Sequence, residues 1–273
     1  MVLEGRKALV TGAARGIGRV TALALADAGA DVALVDLDAA VEESAARVRG
    51  RGRRAAWARF DIADAVAVRS GVAALRDALG DFDVLVNNAG ITNHIAALTR
   101  MTPEGWEREL AVNLSGAFHL IQALLPRMIE RRFGRILVIS SLAARGGLHH
   151  QAGYAASKAG LLGLVHTVTL EHARHGVTCN AILPGLIETE VVRGMPAEIR
   201  EASLARTPAR RLGRMDEVAA LIVFLASEAA GFINGAEIDI DGGSRLNTLS
   251  LGSRKEAAGA SAPTRPAPQG TRI

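Results

Sequence analysis

One tyrosine, Tyr154, and one lysine, Lys158, stand four residues apart in the stretch YAASK. The chain has no other tyrosine, and only Lys7 and Lys255 besides Lys158 among its 32 basic residues. On a helix an i, i+4 pair shares one face, so a phenol and an ammonium could serve the same substrate. A phenol titrates near pH ~10 in water, too high to shuttle a proton at neutrality. A nearby ammonium and the N-terminal end of a helix both favour the phenolate. Tyr154 could then give a proton to a carbonyl oxygen or take one from an alcohol. Taken alone, the pair is equally what a helix with one packed and one surface residue would contain.

A second cluster is the run TGAARGIG, Thr11 to Gly18. Glycines at 12, 16 and 18 permit a tight turn, close approach of backbone to a pyrophosphate and close helix–strand packing. The helix that follows would present free amides and a positive dipole end to phosphates. Gly12, Arg15, Gly16, Ile17 and Gly18 are therefore candidate dinucleotide contacts. Asp36 lies 18 residues beyond Gly18, where an acid can accept from ribose hydroxyls and repel a 2′-phosphate. Asp38 adds negative charge, whereas Arg15 could pair with a 2′-phosphate. Asp36 favours NAD over NADP.

These residues need elements to position them. Apolar runs at Lys7–Thr11, Asp31–Asp36, Ala55–Phe60, Val84–Val86, Ile136–Ser140, Val177–Ile182 and Glu237–Ile240 read as strands. Between them, 16–29, 39–50, 64–79 and 152–174 read as helices. Another opens at Thr102-Pro103, with Thr102 as N-cap and Pro103 at the first position. Continuous apolar strands alternating with helices predict an α/β fold: a doubly wound parallel sheet of about seven strands, Rossmann-like, in one domain.

At 273 residues, 49% hydrophobic and 22% charged, the chain has enough apolar surface for one large domain, which excludes wholesale disorder. The composition changes at residue 247. Residues 1–246 read as the catalytic domain and 247–273, rich in Pro, Ala, Gly and Arg, as a disordered tail. The tail carries most of the net charge of +4, so no basic face for nucleic acid is expected on the domain. A membrane span and a signal peptide are not expected either, and a single cysteine suits a reducing, cytoplasmic setting.

The motifs TGAARGIG, NNAG (Asn87–Gly90), Asn113, Ser141, YAASK and PGLIET (Pro184–Thr189) occur in that order, and the chain reaches IDGG at Gly243. Over about residues 3–246 the sequence resembles the short-chain dehydrogenase/reductase family in its compact single-domain branch. The resemblance implies transfer of a hydride between a nicotinamide cofactor and a secondary alcohol or ketone. Tyr154 would be the general acid/base, and Lys158 would hold the nicotinamide ribose and lower the tyrosine pKa. Ser141 would bind the substrate oxygen, and Asn113 would place a water in a relay to Lys158. Ser140 is excluded as its substitute if strand alternation turns only one of the two inward. Asp61 and Ile62 match the adenine contact, and Asn88, Ala89 and Gly90 the turn beside the adenosine ribose. Ile187 and Thr189 match the contacts to the carboxamide. A homotetramer is also implied.

Within the same resemblance, an NADPH-dependent 3-oxoacyl-(acyl-carrier-protein) reductase is the alternative, with Arg132 suitably placed for an acidic carrier and His175 less so. A dinucleotide-binding regulator without turnover is the alternative of another class, and the retained Tyr154 and Lys158 argue against it. The seven histidines offer no metal-ligand spacing. His94, His149 and His150 read as pocket-rim residues, and Cys179 as a buried small hydrophobe. The stretch from Thr189 to Met215 reads as a loop-and-helix cover, with Val191, Val192, Met195 and Leu204 apolar and Arg193 polar.

Overall fold

Seven parallel strands form one sheet in the computed structural model, which describes residues 1–246. The tail expected over 247–273 lies outside the described residues. In chain order the elements are β1 (Lys7–Thr11), α1 (Gly16–Asp27), β2 (Asp31–Asp36), α2 (Val41–Arg49), β3 (Ala55–Arg59), α3 (Ala65–Leu79) and β4 (Val84–Asn87). They continue with α4 (Pro103–Leu110), α5 (Gly116–Glu130), β5 (Gly134–Ile139), α6 (Ala143–Gly146) and α7 (Ala152–His172). The last are β6 (Val177–Pro184), α8 (Glu190–Arg193), α9 (Ala197–Arg206), α10 (Met215–Ala226) and β7 (Glu237–Ile240). The strand order is β3-β2-β1-β4-β5-β6-β7, the doubly wound arrangement expected.

The central strands split their side chains between two cores. Ala8, Val10, Val32, Leu34, Val84, Val86 and Leu137 face α1, α2 and α10. Leu9, Ala33, Val35, Leu85, Ile136, Val138 and Cys179 face α3, α5 and α7. Both faces are covered, which is why the strands read as unbroken apolar runs. Cys179 is buried, and its thiol is pushed up by burial.

Element ends differ from the expected ones for local reasons. Helix α1 stops at Asp27 because Gly29, at φ +108°, turns the chain into β2. Helix α2 starts only at Val41 because the Asp38 carboxylate accepts from the Ala40 amide at 2.9 Å and holds a turn there. Strand β5 spans Gly134–Ile139, so Ser140 lies just past its end, and β6 continues to Pro184. Thr102 does cap α4, accepting from the Gly105 amide at 3.1 Å, with Pro103 in the first turn. Helix α5 was not anticipated, nor was the π-helical turn Ala111–Ser115 that joins it to α4.

Leu34, fully buried in the second strand, measures how far this sheet depends on packing. Leu34→Ala is expected to cost about 2–5 kcal/mol, read as a lowered denaturant midpoint at unchanged slope.

Candidate active site

The site is built where β1 and β4 end side by side. The Thr11 hydroxyl accepts from the amides of Asn88 and Ala89, each at 3.1 Å. The Asn88 side chain donates back to the Thr11 and Gly12 carbonyls at 2.9 and 3.2 Å. Gly12 takes φ +64°, and a Cβ there would sit 2.7 Å from the Asn88 amide nitrogen. A Cβ on Gly18 would collide with the Gly12 carbonyl, so this glycine permits the turn to close on its own helix. Helix α1 then begins without a side-chain cap and without an acid in its first turn. Its amide ends are left for an anion.

Beside this turn lies a cleft of about 440 Å³ lined by Gly12, Arg15, Ile17, Asp36, Asp61, Ile62, Asn88, Ala89, Gly90 and Thr189. The glycine turn, the uncapped helix and the acid at the end of β2 together fit a dinucleotide. The Asp36 carboxylate is already engaged: Oδ2 accepts from the Ala14 amide at 2.9 Å and Oδ1 from the Asp38 amide at 3.0 Å. Arg15 lies 3.9 Å from the Asp38 carboxylate. Of the expected cofactor contacts, Gly16, Gly18, Tyr154, Lys158 and Ile187 do not line the cleft; Ile187 is buried and bridges Gly213. Thr189 accepts from the Val192 amide and caps α8.

The structure brings Tyr154, Lys158, Ser141 and Asn113 together around the start of α7. The Ser141 side chain lies close enough to the Tyr154 phenol to favour its ionised form, and its hydroxyl accepts from the Ala143 amide at 3.1 Å. Ser140 is buried instead, its hydroxyl donating to the Lys158 carbonyl at 2.9 Å, so the two serines do point to different places. Asn113 sits in the π-helical turn, and a wide turn of this kind is common where a helix must bend around a site. Its side chain accepts from the Ile91 amide at 2.7 Å and donates to the Ile91 carbonyl and to Ser157. A Cβ on Gly90 would lie 3.2 Å from Asn113 Oδ1 and 3.3 Å from Lys158 Nζ, so the turn after β4 packs directly on both.

Lys158 Nζ donates to the Ile139 carbonyl at 2.8 Å and stands 5.7 Å from the centre of the Tyr154 ring. The Tyr154 phenol is held above its ordinary value, by burial first, with the Ser141 side chain opposing and the Glu109 carboxylate reinforcing. Lys158 is itself buried, which pushes its ammonium down to about 8.

Other residues of the site were not singled out in the sequence. Leu37, Phe60, Arg108 and Val112 also line the cleft, and Arg108 holds Asp61 at 2.8 Å. Glu109, buried on α4, lies against Gly153. An arginine and a glutamate inside a polar helix carry no motif, so only the packing of α4 on its neighbours identifies them. His149 and His150 stack at 3.8 Å on an exposed loop, and the Ala96 amide donates to the His150 carbonyl, tying that loop to the segment after β4. His94 accepts from the Thr102 amide through Nε2 and packs over the start of α4. Of the expected cover, Val191 reaches the cleft, while Arg193 lies 3.4 Å from Glu188.

A family model described as enoyl-(acyl carrier protein) reductase matches residues 12–245. A 3-oxoacyl-(acyl-carrier-protein) reductase of Thermotoga maritima is 40% identical, covering 89% of this chain and 99% of its own. An acetoacetyl-CoA reductase of Shinella zoogloeoides is 42% identical, covering 87% and 98%. Among solved structures, levodione reductase superposes with a TM-score of 0.86 at 31% identity, covering 90% of this chain and 99% of its own. A protein assigned as a 2-deoxy-D-gluconate 3-dehydrogenase of Agrobacterium tumefaciens, with bound NADP, gives 0.82 at 36% identity, covering 89% and 97%.

Burying Lys158 costs the fold stability. A shift from 10.5 to about 8 corresponds to on the order of 3 kcal/mol at neutral pH. The parent should recover that loss as pH rises from about 8 to 10.5, where the unfolded chain still binds a proton the folded chain has released. Lys158→Met removes the charge but leaves the Ile139 carbonyl unpaired. It is expected to be more stable than the parent at neutral pH by about 1 kcal/mol. Denaturant titrations of both proteins across that pH window would show the gap closing as pH rises.

Proposed function

Because the chain belongs to the short-chain dehydrogenase/reductase family of oxidoreductases, we propose that it interconverts a ketone and a secondary alcohol with Tyr154 as the proton-transferring group. The observation that carries this reading is the meeting of Tyr154, Ser141 and Lys158 beside a dinucleotide-shaped cleft. A bound nicotinamide cofactor supplies or accepts the hydride. The chain's own residues do the rest. Tyr154, kept protonated by its surroundings, donates to a carbonyl oxygen in reduction and takes a proton from a hydroxyl in oxidation. Ser141, beside the phenol, shares the substrate oxygen with it. Lys158, fixed by the Ile139 carbonyl and protonated below about 8, places a positive charge where the nicotinamide ribose would lie. Asn113 holds the segment after β4 against Lys158, and a water relay would have to start there. Orientation of the two reacting carbons supplies much of the acceleration.

Asp36 supports NAD as the partner of this cleft, since an acid at the end of β2 disfavours a 2′-phosphate. A second reading, NADPH with a 3-oxoacyl thioester, is favoured by the names of two relatives, by the NADP in a similar structure and by Arg15, whose side chain is 69% exposed. Arg132, which would meet an acidic carrier in that reading, donates to the Arg174 carbonyl on the surface. Self-association as a tetramer is supported by exposed apolar side chains: Phe118 on α5, Leu170 on α7 and Phe232 ahead of β7. A cytoplasmic setting is supported only by the single cysteine being a free thiol. No helix among the described residues is long and apolar enough to cross a membrane.

Turnover of a panel of ketones and alcohols, acetoacetyl-CoA included, with NAD(H) and NADP(H) decides between the cofactors. Asp36 predicts faster reduction with NADH; a clear NADPH preference with acetoacetyl-CoA would establish the second reading. Tyr154→Phe is expected to lower kcat by about a thousandfold while leaving cofactor binding intact. Retained activity in that variant would remove Tyr154 from the mechanism. Sedimentation equilibrium should give four times the chain mass, and a monomer would refute the tetramer.

A further inference from the structure

Glu109 is 1% exposed, on the last turn of α4, where that helix packs against α7. A carboxylate so placed is expensive unless paired, and this one is barely paired. Among the described residues, Oε1 receives only a 3.3 Å bond from the His94 amide, and Oε2 has no hydrogen-bond partner. Oε2 lies 2.5 Å from where a Cβ on Gly153 would be, so glycine at 153 is what lets the carboxylate approach the first turn of α7. Tyr154 is the next residue. The amide end of a 21-residue helix favours a negative charge near it.

The titratable groups around this contact are few. Helix α7 brings Tyr154 and Lys158, and Lys158 is bonded to the Ile139 carbonyl. The segment after β4 brings His94, whose Nε2 accepts from the Thr102 amide. On α4 itself, Arg108 is paired with Asp61. The π-helical turn between α4 and α5 contains Ala, Val, Asn, Leu and Ser, none of which titrates. None of these supplies a cation to Glu109. Nor does Oε2 reach solvent, so it is not a contact for substrate.

We propose that Glu109 is a positioning residue that holds Tyr154 in its protonated form through a buried, solvent-shielded negative charge behind the start of α7. The inference rests on the reading of Tyr154 as the proton-transferring group and deepens it. A phenol kept protonated is ready to donate, so Glu109 biases the site toward ketone reduction near neutral pH. Alcohol oxidation, which needs the phenolate, is pushed to higher pH. The rise in the Tyr154 pKa attributable to Glu109 has the sign this requires.

The single tyrosine makes the test direct, because the near-ultraviolet phenolate band of this chain reports Tyr154 alone. In a spectrophotometric pH titration, Glu109→Gln and Glu109→Leu are both expected to move the phenolate midpoint about one pH unit lower than in the parent. Tyr154→Phe, recorded alongside, supplies the blank. Circular dichroism at each pH separates phenol titration from unfolding. The acid limb of alcohol oxidation by the NAD(P)-loaded enzyme, with the best alcohol of the panel, should move the same way in both Glu109 variants. A midpoint and an acid limb that stay in place, or rise, in Glu109→Gln would overturn the role of Glu109. The titration needs no turnover, so that outcome is distinct from the failure of the Tyr154 reading, which Tyr154→Phe kinetics decides.

Discussion

The site depends on the stitch between the carboxyl ends of β1 and β4. The chain leaves β1 toward one face of the sheet and β4 toward the other, which opens a crevice between them. Left alone, two such diverging ends would expose unpaired backbone groups. The Thr11 hydroxyl and the Asn88 amide close them with four hydrogen bonds. The same bonds fix the glycine turn on one side and the segment reaching Gly90 on the other. Gly90 then rests on Asn113 and Lys158, so the phosphate end and the proton-transfer end of the site are set by one junction.

The second constraint is electrostatic. Lys158 is a buried ammonium with one main-chain acceptor, an arrangement that costs more than it returns in stability. Its backbone is anchored by Ser140, so the charge is placed from both ends of the residue. Glu109 is also buried, and it has no ion-pair partner among the described residues. Near a phenol, an ammonium favours the phenolate and a carboxylate the neutral form, so the two residues act on Tyr154 with opposite sign. The phenol is raised on balance, by burial first.

What the sequence disclosed followed from periodicity and local chemistry. The strands at Lys7–Thr11, Asp31–Asp36 and Glu237–Ile240 are unbroken apolar or β-rich runs, and they lie where read. Thr102-Pro103 is a helix start that needs no tertiary context. Tyr154 and Lys158 share a helix face because i, i+4 geometry is local. The hidden features are those made by contact. Helix α5 and the π-helical turn before it continue one helical pattern, and nothing in AVNLS marks the widened turn around Asn113. Arg108 and Glu109 look like the solvated face of a polar helix until α4 is packed, one then reaching Asp61 and the other Gly153. The partner of Lys158 is hidden for the same reason: spacing puts the ammonium on the right face but cannot say that the Ile139 carbonyl takes it.

Asp36 both lines the cleft and holds the turn beside it. Its carboxylate accepts from the Ala14 amide inside the glycine turn and from the Asp38 amide beyond β2. Each oxygen keeps a lone pair for a ribose hydroxyl, so the two tasks are compatible. They are not separable by substitution, however, since removing the carboxylate frees the turn as well as the charge. Arg15 enters the same balance from within that turn. Its guanidinium stands 3.9 Å from Asp38, a loose and exposed pair of the kind worth little in water. A 2′-phosphate could therefore draw Arg15 from Asp38 at small cost, but it would still have to lie beside Asp36, whose position the turn itself requires. Cofactor choice in this chain thus rests on whether one mobile arginine can offset an acid that the fold does not allow to move.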